Sequence, residues 1–145
     1  MTQINAYLNF TGNCRDAMTF YNDCLGGELN MQTVAGSPAE AQCPAAMKDY
    51  ILHSTLTKGN LVLMGSDMSD AEGIVKGNNI ALSLNCSSDV EINSFFNQLS
   101  AGGTVIHPLT EEFWGATFGV FTDKFGIRWM LNYDKNIQVS LNHNS

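Results

Sequence analysis

The sequence predicts an α+β protein built from two βαβββ modules that form an incomplete eight-stranded barrel. Three observations lead there. The first is an internal repeat. Residues 4 to 29 run Ile-Asn-Ala-Tyr-Leu-Asn-Phe, an amphipathic stretch ending Phe20-Tyr21-Asn22, then Gly26-Gly27-Glu28-Leu29. Residues 80 to 105 run Ile-Ala-Leu-Ser-Leu-Asn-Cys, an amphipathic stretch with Phe95-Phe96-Asn97, then Gly102-Gly103-Thr104-Val105. A repeat this long is half a domain, not a solenoid unit. The second is period-2 alternation in the short runs after each copy, the pattern of half-buried strands. The third is the Gly-Gly pair closing each amphipathic stretch, where glycine takes the left-handed backbone that ends a helix.

Each element follows from local pattern. Residues 4–10 alternate, with Ile4, Ala6, Leu8 and Phe10 on the inward face and Asn5, Tyr7 and Asn9 on the other. Thr11-Gly12-Asn13 reads as a turn supplying an N-cap. Cys14, Ala17, Met18, Tyr21, Cys24 and Leu25 then fall on one helical stripe. Residues 28–34, 50–57 and 61–66 read as strands, the last two joined by the hairpin signal Lys58-Gly59-Asn60. Residues 35–48, with Gly36, Pro38 and Pro44, read as a loop. In the second module residues 79–86 form the first strand, with Ile80, Leu82 and Leu84 inward. Ser87-Ser88-Asp89 caps a helix carrying Val90, Ile92, Phe95, Phe96 and Leu99. Strands follow at 104–107, 117–122 and 127–133, the last two joined by Asp123-Lys124-Phe125-Gly126. The expected organisation is one domain over 1–134, with modules at 3–67 and 78–133, a connection at 68–77 and a loose tail at 135–145.

Composition narrows the partners. Apolar residues make up 44% of the 145 and charged residues 14%, which suits a packed core. The net charge of −7 repels phosphate backbones, so nucleic acid is not an expected partner. No apolar run approaches the roughly 20 residues that span a bilayer, so no membrane partner is expected. No basic-then-apolar signal segment opens the chain, which points to the cytoplasm. Cys14, Cys24, Cys43 and Cys86 have neither CxxC pairing nor zinc spacing, and reduced thiols are expected.

Particular residues carry a family resemblance. They are Tyr7-Leu8-Asn9-Phe10-Thr11-Gly12-Asn13-Cys14, Phe20-Tyr21 with Leu25-Gly26-Gly27-Glu28-Leu29, and His53. Further on come Gly59 and Leu63-Met64-Gly65-Ser66-Asp67, then Phe113-Trp114-Gly115, Gly119, Thr122-Asp123-Lys124-Phe125-Gly126 and Trp129-Met130. Over about residues 3–133 the chain resembles the PhnB-like branch of the vicinal oxygen chelate superfamily, which includes glyoxalase I, extradiol dioxygenases and bleomycin-resistance proteins. The resemblance implies the glyoxalase/bleomycin-resistance/dioxygenase fold, a small-molecule ligand in a central cleft, and a homodimer. This branch often carries a demethylubiquinone methyltransferase label, but the chain lacks the glycine-rich strand–loop–helix cradle that a Rossmann-type methyltransferase needs.

The superfamily's metal enzymes place four His, Gln or Glu ligands on the first and last strands of each half. Carried onto this chain those positions are Asn5 (or, with one residue of slippage, Ala6) and Asn79, with Leu63 and Met130. Gly59 to Leu63 and Gly126 to Met130 have equal spacing. Leucine has no donor atom and a thioether suits Mg, Mn or Zn poorly. The expectation is no metal and no cofactor, with Leu63 and Met130 serving as apolar pocket wall.

The remaining candidates are ligand-binding and acid–base groups. Asn5, Tyr7, Asn9, Asn79, Ser83, Arg128 and Asn132 are expected on one concave face with Met130, a set of neutral hydrogen-bonding groups and one cation. Phe113 and Trp114 offer flat stacking surfaces, or else packing or dimer contacts. His53 could serve as base or donor, or be a hydrogen-bonded histidine at a sheet edge. Glu111 and Glu112, beside two aromatics, could act as acids, or could simply solvate a surface loop entering the seventh strand. His107 reads as a loop residue, and Cys43 as a plain thiol. Two function classes follow. One is a metal-free binding protein, with a drug-resistance binder for cationic compounds as a variant of it. The other is a lyase, isomerase or dioxygenase, using either a metal held by other residues such as His53 with Glu111 or Glu112, or metal-free acid–base work by His53.

Overall fold

A computed structural model describes residues 2–68 and 73–135. The chain divides into two compact units, residues 1–75 and 76–145. Unit 1 runs β1 (Ala6–Asn9), α1 (Cys14–Leu25), β2 (Glu28–Thr33), β3 (Ile51–Lys58), β4 (Leu61–Ser66). Unit 2 runs β5 (Leu82–Asn85), α2 (Asp89–Leu99), β6 (Thr104–Glu111), β7 (Ala116–Thr122), β8 (Arg128–Asp134). Both are the expected βαβββ, and the class is α+β. The sheets have equivalent orders, β1-β4-β3-β2 and β5-β8-β7-β6. The first and last strands of each unit pair in parallel, and the other neighbours are antiparallel. Neither sheet closes on itself.

In each unit a helix packs on the sheet and the core lies between them. In unit 1 the buried stripe Cys14, Ala17, Met18, Tyr21, Cys24 and Leu25 meets Leu8, Leu56 and Leu63. In unit 2 Ile92, Phe96 and Leu99 meet Phe121, Trp129 and Leu131. The helices approach closely at two strand positions that are glycine. A Cβ on Gly65 would stand 3.1 Å from Met18 Sδ and 3.2 Å from Cys14 Sγ. One on Gly119 would stand 2.6 Å from the Phe96 ring.

The two helices begin differently. Ser88 Oγ accepts from Glu91 N at 3.0 Å, and Glu91 Oε1 accepts from Ser87 N at 2.9 Å, a capping-box arrangement in the expected place. Asn13 makes no such cap. A distant carboxylate replaces it. Asp67 Oδ1 accepts from Gly12 N at 2.8 Å and Cys14 N at 3.0 Å, while Oδ2 accepts from Ile51 N at 2.8 Å. Asp67 is 3% exposed. It ties the end of β4 to the start of α1 and the start of β3. In unit 2, Asp123 accepts from Phe125 N and Ile127 N across the β7–β8 turn, and from Trp129 Nε1 at 2.9 Å.

Several boundaries differ from expectation. β1 and β5 are only four residues long, so Ile4 and Ile80 precede them and are 99% and 77% exposed rather than inward. Val90 on α2 is likewise exposed. Residues 35–48 hold two short 3-10 turns, Glu40–Gln42 and Ala45–Met47. β6 continues through Pro108 to Glu111; as an edge strand with shifted register it tolerates the missing N–H. Of the connection expected at 68–77, residues 69–72 lie outside the described residues, as does the tail beyond Lys135. Lys135 itself lies 3.6 Å from Asp89 and 3.9 Å from Glu111.

Removing the Asp67 carboxylate strands three backbone N–H groups, each costing about 1–3 kcal/mol when buried without a partner. Asp67→Ala is therefore expected to lower unfolding stability by at least ~3 kcal/mol in urea titrations, and unchanged stability refutes the capping role.

Candidate functional site

With one sheet face sealed by a helix, the opposite face of each unit presents its side chains as an ordered grid. Direct cross-strand partners share a face, so the register defines rows. In unit 1 one row is Tyr7, Met64, Thr55 and Asn30. His53 and Gln32 pair beside it. The Tyr7 hydroxyl lies 3.4 Å from His53 Nδ1, and Thr55 Oγ1 lies 3.2 Å from His53 Nε2. The Tyr7 and His53 ring centroids are 5.9 Å apart. Both imidazole nitrogens are thus engaged by hydroxyls, which can donate or accept as either tautomer requires.

In unit 2 the equivalent row is Ser83, Met130, Val120 and His107. On one side of it stand Asn85, Asn132, Phe118 and Thr110, and on the other Arg128, Thr122 and Thr104. His107 packs edge-on against Phe118 with centroids 5.5 Å apart. Its Nε2 lies 3.6 Å from Glu112 Oε1, which also accepts from Thr110 Oγ1 at 3.1 Å. Arg128 is half-buried, and its Nε is buried with no hydrogen-bond partner among the described residues.

The structure therefore sorts the residues singled out by sequence. Tyr7 and His53 come together on the open face of unit 1. Ser83, Arg128 and Met130 share that of unit 2. Asn5 and Asn79 do not sit on strands, because β1 begins at Ala6 and β5 at Leu82. Leu63 is not pocket wall: it pairs with Ala6 and Leu56 on the helix-facing side and is 5% exposed. The true counterpart of Met130 is Met64, one residue on, since the equivalent pairs are Tyr7 with Met64 and Ser83 with Met130. Counting from the hairpin glycines missed this, because a one-residue slip flips a strand's faces.

The acidic–aromatic group also lands differently. Glu111 ends β6, and Glu112 to Gly115 form the β6–β7 turn rather than entering the seventh strand. Phe113 is 97% exposed and Trp114 49%, with rings edge-on at 5.2 Å. Glu112 partners His107, a strand residue and not the loop residue expected. The His107–Phe118 contact was missed because Thr117–Thr122 was read without its edge partner extending past Pro108.

A divalent ion would find a poor donor set at these positions. The unit 1 pair Tyr7 and Met64 provides a phenol and a thioether, and the unit 2 pair Ser83 and Met130 an aliphatic hydroxyl and a thioether, so neither pair includes a carboxylate or an imidazole. The donors do not fit Mg, Mn, Fe or Zn.

The fold and these open-faced, duplicated sheets define a family. The chain belongs to the Glyoxalase/Bleomycin resistance protein/Dioxygenase superfamily, whose family model matches residues 3–131. It is 35% identical over 142 residues to Protein YjdN of Escherichia coli (strain K12), covering 91% of this chain and 95% of that one. Protein PA1353 from Pseudomonas aeruginosa is similar in structure with a TM-score of 0.82, at 42% identity over 92% of this chain and 98% of the other. A structure titled a putative 3-demethylubiquinone-9 3-methyltransferase, PhnB protein, from Bacillus cereus has a TM-score of 0.69 at 22% identity. It covers 91% of this chain and 99% of its own, a likeness of fold.

The thiols are the remaining nucleophiles. Cys14, Cys24 and Cys86 are buried and Cys43 is half-buried, all unbridged. Burial pushes Cys14 from 9.0 up to about 11, offset in part by its Ser54 hydrogen bond. Burial and then the Glu91 charge push Cys86 up to about 12. A thiol whose folded pKa is raised stabilises the fold fully below its unfolded value, and that stability drains away as pH rises toward the folded one. Unfolding stability should therefore hold below pH 9 and fall from pH 9 toward 11 and 12. At pH 8 a thiol reagent should label Cys43 alone; rapid labelling of Cys14 or Cys86 in folded protein refutes the assignment.

Proposed function

We propose that the protein binds a small organic molecule on the open sheet faces without a resident metal or cofactor. One observation carries this reading: the two equivalent rows place Tyr7 with Met64 and Ser83 with Met130, pairing a hydroxyl with a polarisable apolar group in each unit. That combination suits recognition of an organic surface and its polar substituents. Methyl transfer is no part of the proposal, because both sheets are mixed and neither has the glycine-rich cradle of a doubly wound fold.

The Tyr7–His53–Thr55 chain favours a second reading, an isomerase or lyase with His53 as base. Glu112 is engaged by His107 and Thr110 within unit 2. The working form in either case is a homodimer in the reducing cytoplasm. Edge strand β6 supports the dimer by exposing Val105 and Ile106, apolar surface that a second copy would cover. Its sedimentation should exceed that of a 15.8 kDa monomer.

A thermal-shift screen of metabolites is expected to find a stabilising compound, with the shift unchanged after dialysis against a chelator. No stabilisation across a broad library, or a shift abolished by the chelator, overturns the binding reading. The enzyme reading requires turnover of such a compound to fall by about 100-fold or more in His53→Ala.

A further inference from the structure

We infer that the ligand of the unit 2 face is an organic anion, with its carboxylate or similar oxyanion held by Arg128 and its apolar body lying along Met130 and Val120. This rests on the small-molecule reading above and adds the ligand's chemical class and orientation.

The first observation is the unsatisfied Nε of Arg128. Arg128 is half-buried at the start of β8, and its Nε is buried with no partner among the described residues. A buried cationic donor left unpaired is unfavourable, and a planar guanidinium offers its Nε and a terminal nitrogen as a fork matched to a carboxylate. Its row supplies two more donors. Thr122 pairs with Arg128, and Thr104 with Thr122, so both hydroxyls share its face. Strand spacing sets neighbouring members of the row about 4.8 Å apart.

The second observation is what lies beside that row. One step along the strands, about 6.7 Å away, come Met130 and Val120, then Phe118 packed against His107. The face thus grades from cationic and hydroxylic to apolar and aromatic. Charge is polarised in the same sense. Lys124 and Lys76 are near the Arg128 end, the latter beside Gly126, and the Asp123 carboxylate at that end is buried on the turn amides and the Trp129 indole, whereas Glu111, Glu112 and Asp134 stand near the opposite end. An anion entering this face is oriented head-first toward Arg128 even though the chain as a whole carries −7.

Phenylbutyrate and its neutral isostere phenylbutanamide test this by calorimetric titration. The carboxylate is expected to bind the folded protein about tenfold tighter than the amide. Arg128→Gln should abolish that preference by weakening the carboxylate alone, with Arg128→Lys intermediate because a point charge replaces the fork. Circular dichroism melts establish that each variant is folded. Equal affinity for the two compounds, or undiminished carboxylate binding by folded Arg128→Gln, overturns the anion inference and leaves the small-molecule reading standing. Failure of both compounds, when a neutral library compound does bind, also overturns it. Failure of both with an inert library overturns the two together.

Discussion

A buried carboxylate that satisfies backbone amides is the constraint on which each unit depends. Asp67 in unit 1 accepts three N–H groups, two from the loop and helix start at Gly12 and Cys14 and one from the strand start at Ile51, both regions distant from it in sequence. Without an acceptor there, the orphan donors at the N-terminus of α1 would be buried and unpaired. Asp123 does related work by closing the β7–β8 turn and holding the Trp129 indole. These contacts fix where the strands begin and end, and therefore their register. Register decides which side chains face the helix and which face outward.

From that register the open faces follow. Glycines at 65 and 119 let the helices approach the sheets closely, so Leu63, Phe121, Trp129 and Leu131 are committed to the cores. The alternate positions are left to present Tyr7, Met64 and Thr55 in one unit and Ser83, Met130 and Arg128 in the other. The repeat has kept a methionine at the centre of both faces while the surroundings diverged. Unit 1 has gained a hydroxyl–imidazole–hydroxyl chain, and unit 2 a cationic row beside an aromatic one.

Charge and burial divide the polar groups into structural and recognition roles. The Asp67 and Asp123 carboxylates are consumed by backbone and indole donors, and the buried Cys14 and Cys86 thiols are held protonated by desolvation. His53 has both nitrogens engaged by hydroxyls, and His107 sits between Phe118 and Glu112. Arg128 differs in carrying a buried donor that no described residue meets.

The duplication, the βαβββ order, both helix stripes and the family were legible in the sequence, because they rest on local periodicity and on glycine and capping signals that short-range physics enforces. The Ser88 cap and the Gly59-Asn60 hairpin were equally local. The tertiary structure alone decided that Asp67 caps α1 in place of Asn13, that Met64 rather than Leu63 matches Met130, and that Glu112 meets His107. Each of those depends on the register between strands distant in the chain, which hairpin counting does not fix. The short β1 and β5 removed Asn5 and Asn79 from the faces for the same reason: strand ends are set by hydrogen-bonding partners, not by alternation. The sequence by itself thus determined the scaffold and its family, and only long-range pairing decided which side chains the scaffold presents.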